Sequence, residues 1–226
     1  EVIKEIKKAD AIMLAGGNMI MDLGYFPIFT SKVYQFVKIA KDFSKPVFIC
    51  FVGAGPLNTK MQKKYAIKAI NMCDYISVRD DQSKELLVSL SINKDIHIWR
   101  DPVLNLDGEI RTKTKESRIG VNVYFGYDSS RFPIVKDAYI SIIEQLIEQY
   151  PEYKIELFSS EIADYVQVES VKKYFKNNDN ISVVYIKTAD ELIRLFYNLK
   201  LVIGARMHTL IVSLTQRVPV VALCWQ

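Results

Sequence analysis

Arg206 and His208 stand two residues apart in "LVIGARMHTLIVSLTQRVPVVAL", residues 201 to 223, where an apolar run meets a glycine. A guanidinium forks onto a phosphate or carboxylate through fixed parallel donors, and an imidazole gives or takes a proton near neutral pH. Together they make an anion site with an acid. Spacing adds a condition, because residues two apart share a side of an extended chain but diverge by about 200° on a helix. The two side chains converge only if "GARMH" stays extended, with Gly204 ending the strand and the helix beginning at His208 or Thr209. Met207 would then turn into the core, followed by Leu210, Ile211 and Leu214. The unpaired N–H groups opening such a helix also favour an anion.

Other apolar runs end in groups of the same kind. "LAGGNMIMD" places Gly16 and Gly17 where the backbone can turn with positive φ or pass close to a ligand, with Asn18 and Asp22 as polar groups for a sugar hydroxyl. The full dinucleotide fingerprint, a G-x-G-x-x-G opening a helix, is absent there. "VGAGPLN" gives Gly53 and Gly55 before Pro56, a turn with or without a ligand. In "SVRDDQSKELL", Asp80 or Asp81 can cap a helix, while Arg79 either pairs with a neighbouring aspartate or faces an anion. His97, between Ile96 and Ile98, reads as a structural or surface histidine.

The elements that would position these groups follow from periodicity. Strands are expected at 11–17, 46–55, 75–78 and 95–99, with helices at about 31–43, 59–73 and 80–91. The polar segment "DGEIRTKTKES", 107–117, reads as a linker. A second series then gives strands at "RIGVNVYF", "KIELFSS", "ISVVYI", "LVIG" and "VPVVALC". The helix near 135–150 carries Tyr139, Ile142, Ile143, Leu146, Ile147 and Tyr150 on one stripe. Thr188 and Glu191 form a capping box for the next helix. The fold class is α/β, two Rossmann-like domains with parallel sheets, at 1–107 and 118–226. Ligands bind such sheets beyond the carboxyl ends of their strands, where the residues above fall.

Composition narrows the function classes. The 226 residues are half apolar and a quarter charged, with a net charge of +4. No basic block points to nucleic acid. Cys50, Cys73 and Cys224 are scattered in apolar surroundings, which reads as buried thiols in a reducing compartment. No apolar run approaches the ~18 residues of a membrane span, so a soluble, cytoplasmic protein is expected. Two dispersed histidines give no metal signature. The first residue is Glu1, inside a helical pattern, and Gln226 closes an apolar run. Truncation at both ends is therefore expected.

The segments "AGGNMIMD", "VGAGPL", "SVRDDQS", "DPVL" and "IGARMHTLIVSLTQRVPVVAL" resemble, in this order and at similar spacing, the polysaccharide pyruvyl transferase family. The resemblance spans almost the whole chain, with Ala15 standing where the family has the first of three glycines. It implies a glycosyltransferase-B-like fold and transfer of pyruvate from phosphoenolpyruvate to two hydroxyls of a sugar. It assigns Arg79 and Arg206 to the donor's phosphate and carboxylate and His208 to general acid catalysis, with Gly16, Gly17, Asn18, Gly53 and Gly55 in acceptor-side loops. Phosphoenolpyruvate is a donor substrate, so no cofactor and no metal are implied. The acceptor would be a sugar, lipid- or nucleotide-linked, which places the work in the cytoplasm or at the inner membrane face. Two other functions fit the residues: a sugar-nucleotide-dependent glycosyltransferase of the same architecture, and a non-catalytic domain that keeps the fold.

Overall fold

A computed structural model describes residues 1–22, 29–106, 117–126 and 128–224. The linker expected at 107–117 lies outside the described residues except for Ser117. The chain separates into two compact units, Glu1–Pro102 and Val103–Gln226.

The first unit runs α1 (Val2–Lys8), β1 (Ile12–Ala15), β2 (Asn18–Ile20), α2 (Phe29–Asp42), β3 (Val47–Ala54), α3 (Lys60–Met72), β4 (Tyr75–Val78), α4 (Asp81–Ser89) and β5 (His97–Ile98). Its strands are parallel in the order β1-β3-β4-β5, with β2 also paired to β3. The apolar run of β3 serves two faces, so Val47, Ile49 and Val52 are all fully buried. Val33 and Val37 of α2 and Ala66 and Ile70 of α3 pack into the same core. The strand expected to continue to residue 17 stops at Ala15. Gly16 and Gly17 adopt φ of +69° and +66°, turning the chain so that a separate strand, β2, starts at Asn18. The strand expected at 95–99 pairs only over His97–Ile98.

The second unit contains β6 (Arg118–Asn122), α5 (Phe132–Gln149), β7 (Lys154–Phe158), α6 (Tyr165–Lys172), β8 (Ile181–Val184), α7 (Ala189–Asn198), β9 (Leu201–Gly204), α8 (Met207–Thr215) and β10 (Val220–Ala222). Its parallel sheet has the order β10-β9-β6-β7-β8. One core holds Val121, Leu157 and Ile203 against Tyr139 and Ile143 of α5. The other holds Phe158 and Val202 against Leu195 and Phe196 of α7 and Val212 of α8. The capping box of α7 is present, with Thr188 accepting from the Glu191 N–H and Glu191 accepting from the Thr188 N–H. All β-strand pairs in both sheets are parallel, the α/β class read from the sequence. In each unit β-strands deliver loops of different origin to one sheet edge.

Candidate functional site

In the first unit the sheet edge gathers Asn18, Gly53 and Arg79. β4 ends at Val78, and the Arg79 N–H donates to the Val52 carbonyl at 3.1 Å. The side chain, only 11% exposed, donates from Nη2 to the Asn18 carboxamide oxygen. Its Nε lies 3.6 Å from Asp80 and its Nη1 3.7 Å from Asp101. Asp80 is also the cap of α4, accepting from the Ser83 N–H at 2.7 Å. Gly53 lies beneath this cluster, and a Cβ there would overlap the Asn18 oxygen and meet Arg79 Nη2 at 2.9 Å. The glycine is needed because the two side chains lie against its backbone.

The glycines before it act through the main chain. Gly17 accepts from the Gly53 N–H at 2.8 Å, and Gly16 donates to Cys50. Both have open space where a Cβ would stand, so their positive φ is what calls for glycine. Gly55 has φ of +105° and donates to Ile20. Asp22 is not presented to a sugar, contrary to the sequence reading. It is fully buried, and its carboxylate accepts from the Thr59 N–H at 2.8 Å, pinning the start of α3. His97 lies on the exposed β5, stacked on Tyr75 with ring centroids 5.1 Å apart.

In the second unit β9 ends at Gly204 and α8 begins at Met207, one or two residues earlier than expected. Arg206 is the N-cap, extended at φ −77° and ψ 116°, with no side-chain cap bond to the helix. The extended "GARMH" expected from the spacing therefore stops at Arg206. His208 belongs to the first helical turn, and Met207 is exposed rather than in the core. The early start has a physical cause in what holds Arg206. Its N–H donates to the Asn122 carboxamide oxygen at 3.2 Å, while Nε and Nη2 donate to Asp164 Oδ2 at 3.0 and 2.7 Å. The guanidinium also lies 4.0 Å from the Tyr124 ring centroid, a cation–π contact.

Sequence reasoning missed Asn122, Tyr124, Asp164 and Ser159. Asn122, fully buried at the end of β6, fits only because Gly204 has no Cβ; one added there would come within 2.6 Å of Asn122 Cβ. Asp164 follows β7 in a short 3-10 turn and also accepts from Ser159 Oγ at 3.1 Å. Nothing local marks these residues, since Asp164 meets a partner 42 positions away.

Two cavities open at this edge of the second sheet. One, of about 460 Å³, is lined by His208, Ser160, Glu161, Lys187 and Thr188 over an apolar floor that includes Ile186, Leu192 and Val212. The Ser160 hydroxyl accepts a hydrogen bond from Thr209 Oγ1 at 3.0 Å, tying the β7 loop to α8. The other, of about 540 Å³, lies against α5 and is mostly apolar. Its charged lining groups, Asp128 and Arg131, pair with each other at 3.5 Å. Of the two, the smaller is the one with a histidine in its lining, His208. Arg206 lines neither: Tyr124 beneath it faces the larger cavity, and His208 two residues on faces the smaller. Among the described residues no group of three or more histidines, cysteines or carboxylates could hold a metal. No helix among them is long and apolar enough to cross a membrane.

A family model for polysaccharide pyruvyl transferases matches residues 2–225. No curated protein matches the chain in sequence. Among solved structures, UDP-GlcNAc 2-epimerase from Methanocaldococcus jannaschii superposes with a TM-score of 0.66 at 14% identity, covering 98% of this chain and 64% of that one. A Listeria monocytogenes protein assigned as UDP-N-acetylglucosamine 2-epimerase gives 0.65 at 12% identity, covering 100% and 61%. The glycosyltransferase-B protein TarM gives 0.57 at 15%, covering 97% and 43%. These superpositions establish a shared glycosyltransferase-B-like fold. The chain spans under two thirds of each of these three structures.

Proposed function

The chain belongs to the polysaccharide pyruvyl transferase family, and from that premise we propose that it moves pyruvate from phosphoenolpyruvate onto two hydroxyls of a sugar. The product is a cyclic ketal on a cell-surface polysaccharide or its lipid- or nucleotide-linked precursor. The observation that carries this reading is the place of His208, in the first turn of α8, lining a cavity two residues after the held Arg206.

The chemistry asks for that placement. A proton from His208 to the methylene carbon of phosphoenolpyruvate turns it into a methyl group and leaves an oxocarbenium-like C2. One sugar hydroxyl attacks C2 and gives its proton to His208, which restores the acid. The second hydroxyl then replaces the phosphate, whose departing oxygen keeps the bonding electrons and which takes up that hydroxyl's proton. Positive groups stabilise the anionic donor throughout, and Arg206 is the guanidinium contact in this reading. The donor is consumed as a substrate, so the reaction calls for no cofactor. Such an enzyme would work in the cytoplasm, where phosphoenolpyruvate is made.

The test is phosphate release from phosphoenolpyruvate by the full-length protein, with a panel of acceptor sugars. His208→Ala should slow it by roughly 10²- to 10⁴-fold, the usual worth of a positioned general acid. Undiminished release would remove His208 from the mechanism. Calorimetric titration with uridine diphosphate sugars separates this reading from a glycosyltransferase, which would bind them and ignore phosphoenolpyruvate.

A further inference from the structure

Arg206 is more tightly held than an arginine kept ready for a ligand needs to be. One carboxylate oxygen of Asp164 takes both Nε and Nη2, at 3.0 and 2.7 Å, while the guanidinium carbon lies 4.0 Å from the Tyr124 ring centroid. The backbone is fixed as well, through the Asn122 carboxamide. Asp164 is itself oriented by Ser159 Oγ, and its side chain is 7% exposed against 24% for Arg206. The side-on edge of the guanidinium, Nε with Nη2, is therefore occupied by Asp164, and the end-on edge that Nη1 forms with the second Nη2 N–H is the one Asp164 does not engage. A pair this close also has little net charge to offer an anion.

We propose that Asp164 is a positioning residue for the donor site, which turns Arg206 from an anion contact usable on either of two edges into a single-edged contact of fixed direction. This rests on the pyruvyl-transfer reading above for the identity of the donor. Holding the guanidinium costs ground-state affinity, because part of its charge is already answered. What it gains is orientation, which acts on the chemical step. Tyr124 acts in the same direction by holding the guanidinium carbon 4.0 Å over its ring.

This separates Asp164 from a residue that only supports the fold. Asp164→Asn keeps an oxygen able to accept from Arg206 but removes the charge. The variant should bind phosphoenolpyruvate more tightly, lowering KM by roughly 3- to 10-fold as Arg206 recovers its charge. At the same time kcat should fall by roughly 10-fold or more as the guanidinium loses its fixed direction. A purely structural role would lower kcat with the folded fraction and leave KM unchanged.

A second measurement does not depend on turnover. Inorganic phosphate is titrated into the full-length wild type, Asp164→Asn, Arg206→Gln and the double variant, each first checked for a wild-type circular dichroism spectrum. Asp164→Asn should bind phosphate more tightly than wild type, and the same exchange made in Arg206→Gln should change nothing, since Asp164 acts through Arg206. Equal effects in both backgrounds, weaker binding in Asp164→Asn, or no phosphate binding by any of the four overturns the proposal. Should phosphate show the coupling while phosphoenolpyruvate is never turned over, the donor assignment fails and the role of Asp164 stands.

Discussion

The two units build one motif twice and finish it differently. Each has an arginine at the exit of a parallel strand, an asparagine carboxamide against it, a glycine whose missing Cβ admits that asparagine, and a buried carboxylate. In the first unit these are Arg79, Asn18, Gly53 and Asp101; in the second, Arg206, Asn122, Gly204 and Asp164. The difference lies in the helix that follows. Asp80 caps α4 with its own carboxylate, whereas Arg206 precedes α8 with no side-chain cap bond to it. Asp101 stands 3.7 Å from its arginine, while Asp164 makes hydrogen bonds. The first arrangement is a closed latch between strand ends; the second leaves a helix start beside a cavity and a histidine. The comparison teaches that an arginine after a strand is not by itself a ligand site, because the state of the next helix decides it.

The largest effect expected from breaking this parallel is in the glycines. Gly204→Ala would set a Cβ 2.6 Å from the Cβ of fully buried Asn122, an atom fixed to its backbone, so the strand ends must part. Overpacking of this kind costs roughly 1–3 kcal/mol, and the upper end is expected here. Gly53→Ala meets the far ends of the Asn18 and Arg79 side chains, which can swing away. Its stability cost should stay under about 1 kcal/mol while Arg79 loses its seat. Urea denaturation of both variants checks the order, and equal costs would mean the two motifs are built to the same tightness.

Much of this fold was legible because periodicity is local. The alternation of apolar runs with helical stripes yielded the parallel α/β sheets, and the Thr188–Glu191 capping box marked α7 correctly. Tyr139 and Ile143 fall on the buried side of α5 as their spacing required. The site was legible only in its strand-end residues. Asn122 and Asp164 gain their meaning from strand order, which brings β6, β7 and β9 side by side across about eighty residues of chain. The start of α8 was misread for a related reason. Sequence announces a helix start through a Ser, Thr, Asp or Asn cap, and Arg206 gives no such signal because a guanidinium has no acceptor for a helix N–H.

Alkaline titration should distinguish the units at an intermediate size. In the first, burial pushes the Cys73 thiol up to about 11 from its ordinary 9.0. In the second, burial pushes the Tyr139 hydroxyl up to about 12 from 10.0, where it bridges Asn122 and Tyr124 at the end of β6. Both folded values are raised, so each contribution is complete below the unfolded value and is lost as pH climbs to the folded one. The first unit should weaken between pH 9 and 11 and the second between 10 and 12, by roughly 1–3 kcal/mol each. Stability curves of Cys73→Ala and Tyr139→Phe should each be flatter than wild type within its own window. A window that persists in its variant would assign that loss to another group.

The smallest effect tests the boundary between strand and helix. With α8 starting at Met207, that side chain is the first helical residue and 41% exposed, whereas an extended "GARMH" would bury it beneath the sheet edge. Met207→Ala should then cost under about 0.5 kcal/mol, as surface changes do, against the 2–5 kcal/mol of a buried methionine. The same exchange leaves the polar face untouched, so phosphate affinity should stay within about twofold of wild type. A loss of 2 kcal/mol or more would restore the inward Met207, and with it the extended geometry that sets Arg206 and His208 on one side. The value of so small a change is that it decides which register carries the histidine to the cavity, since a one-residue slip in an extended chain reverses every side chain.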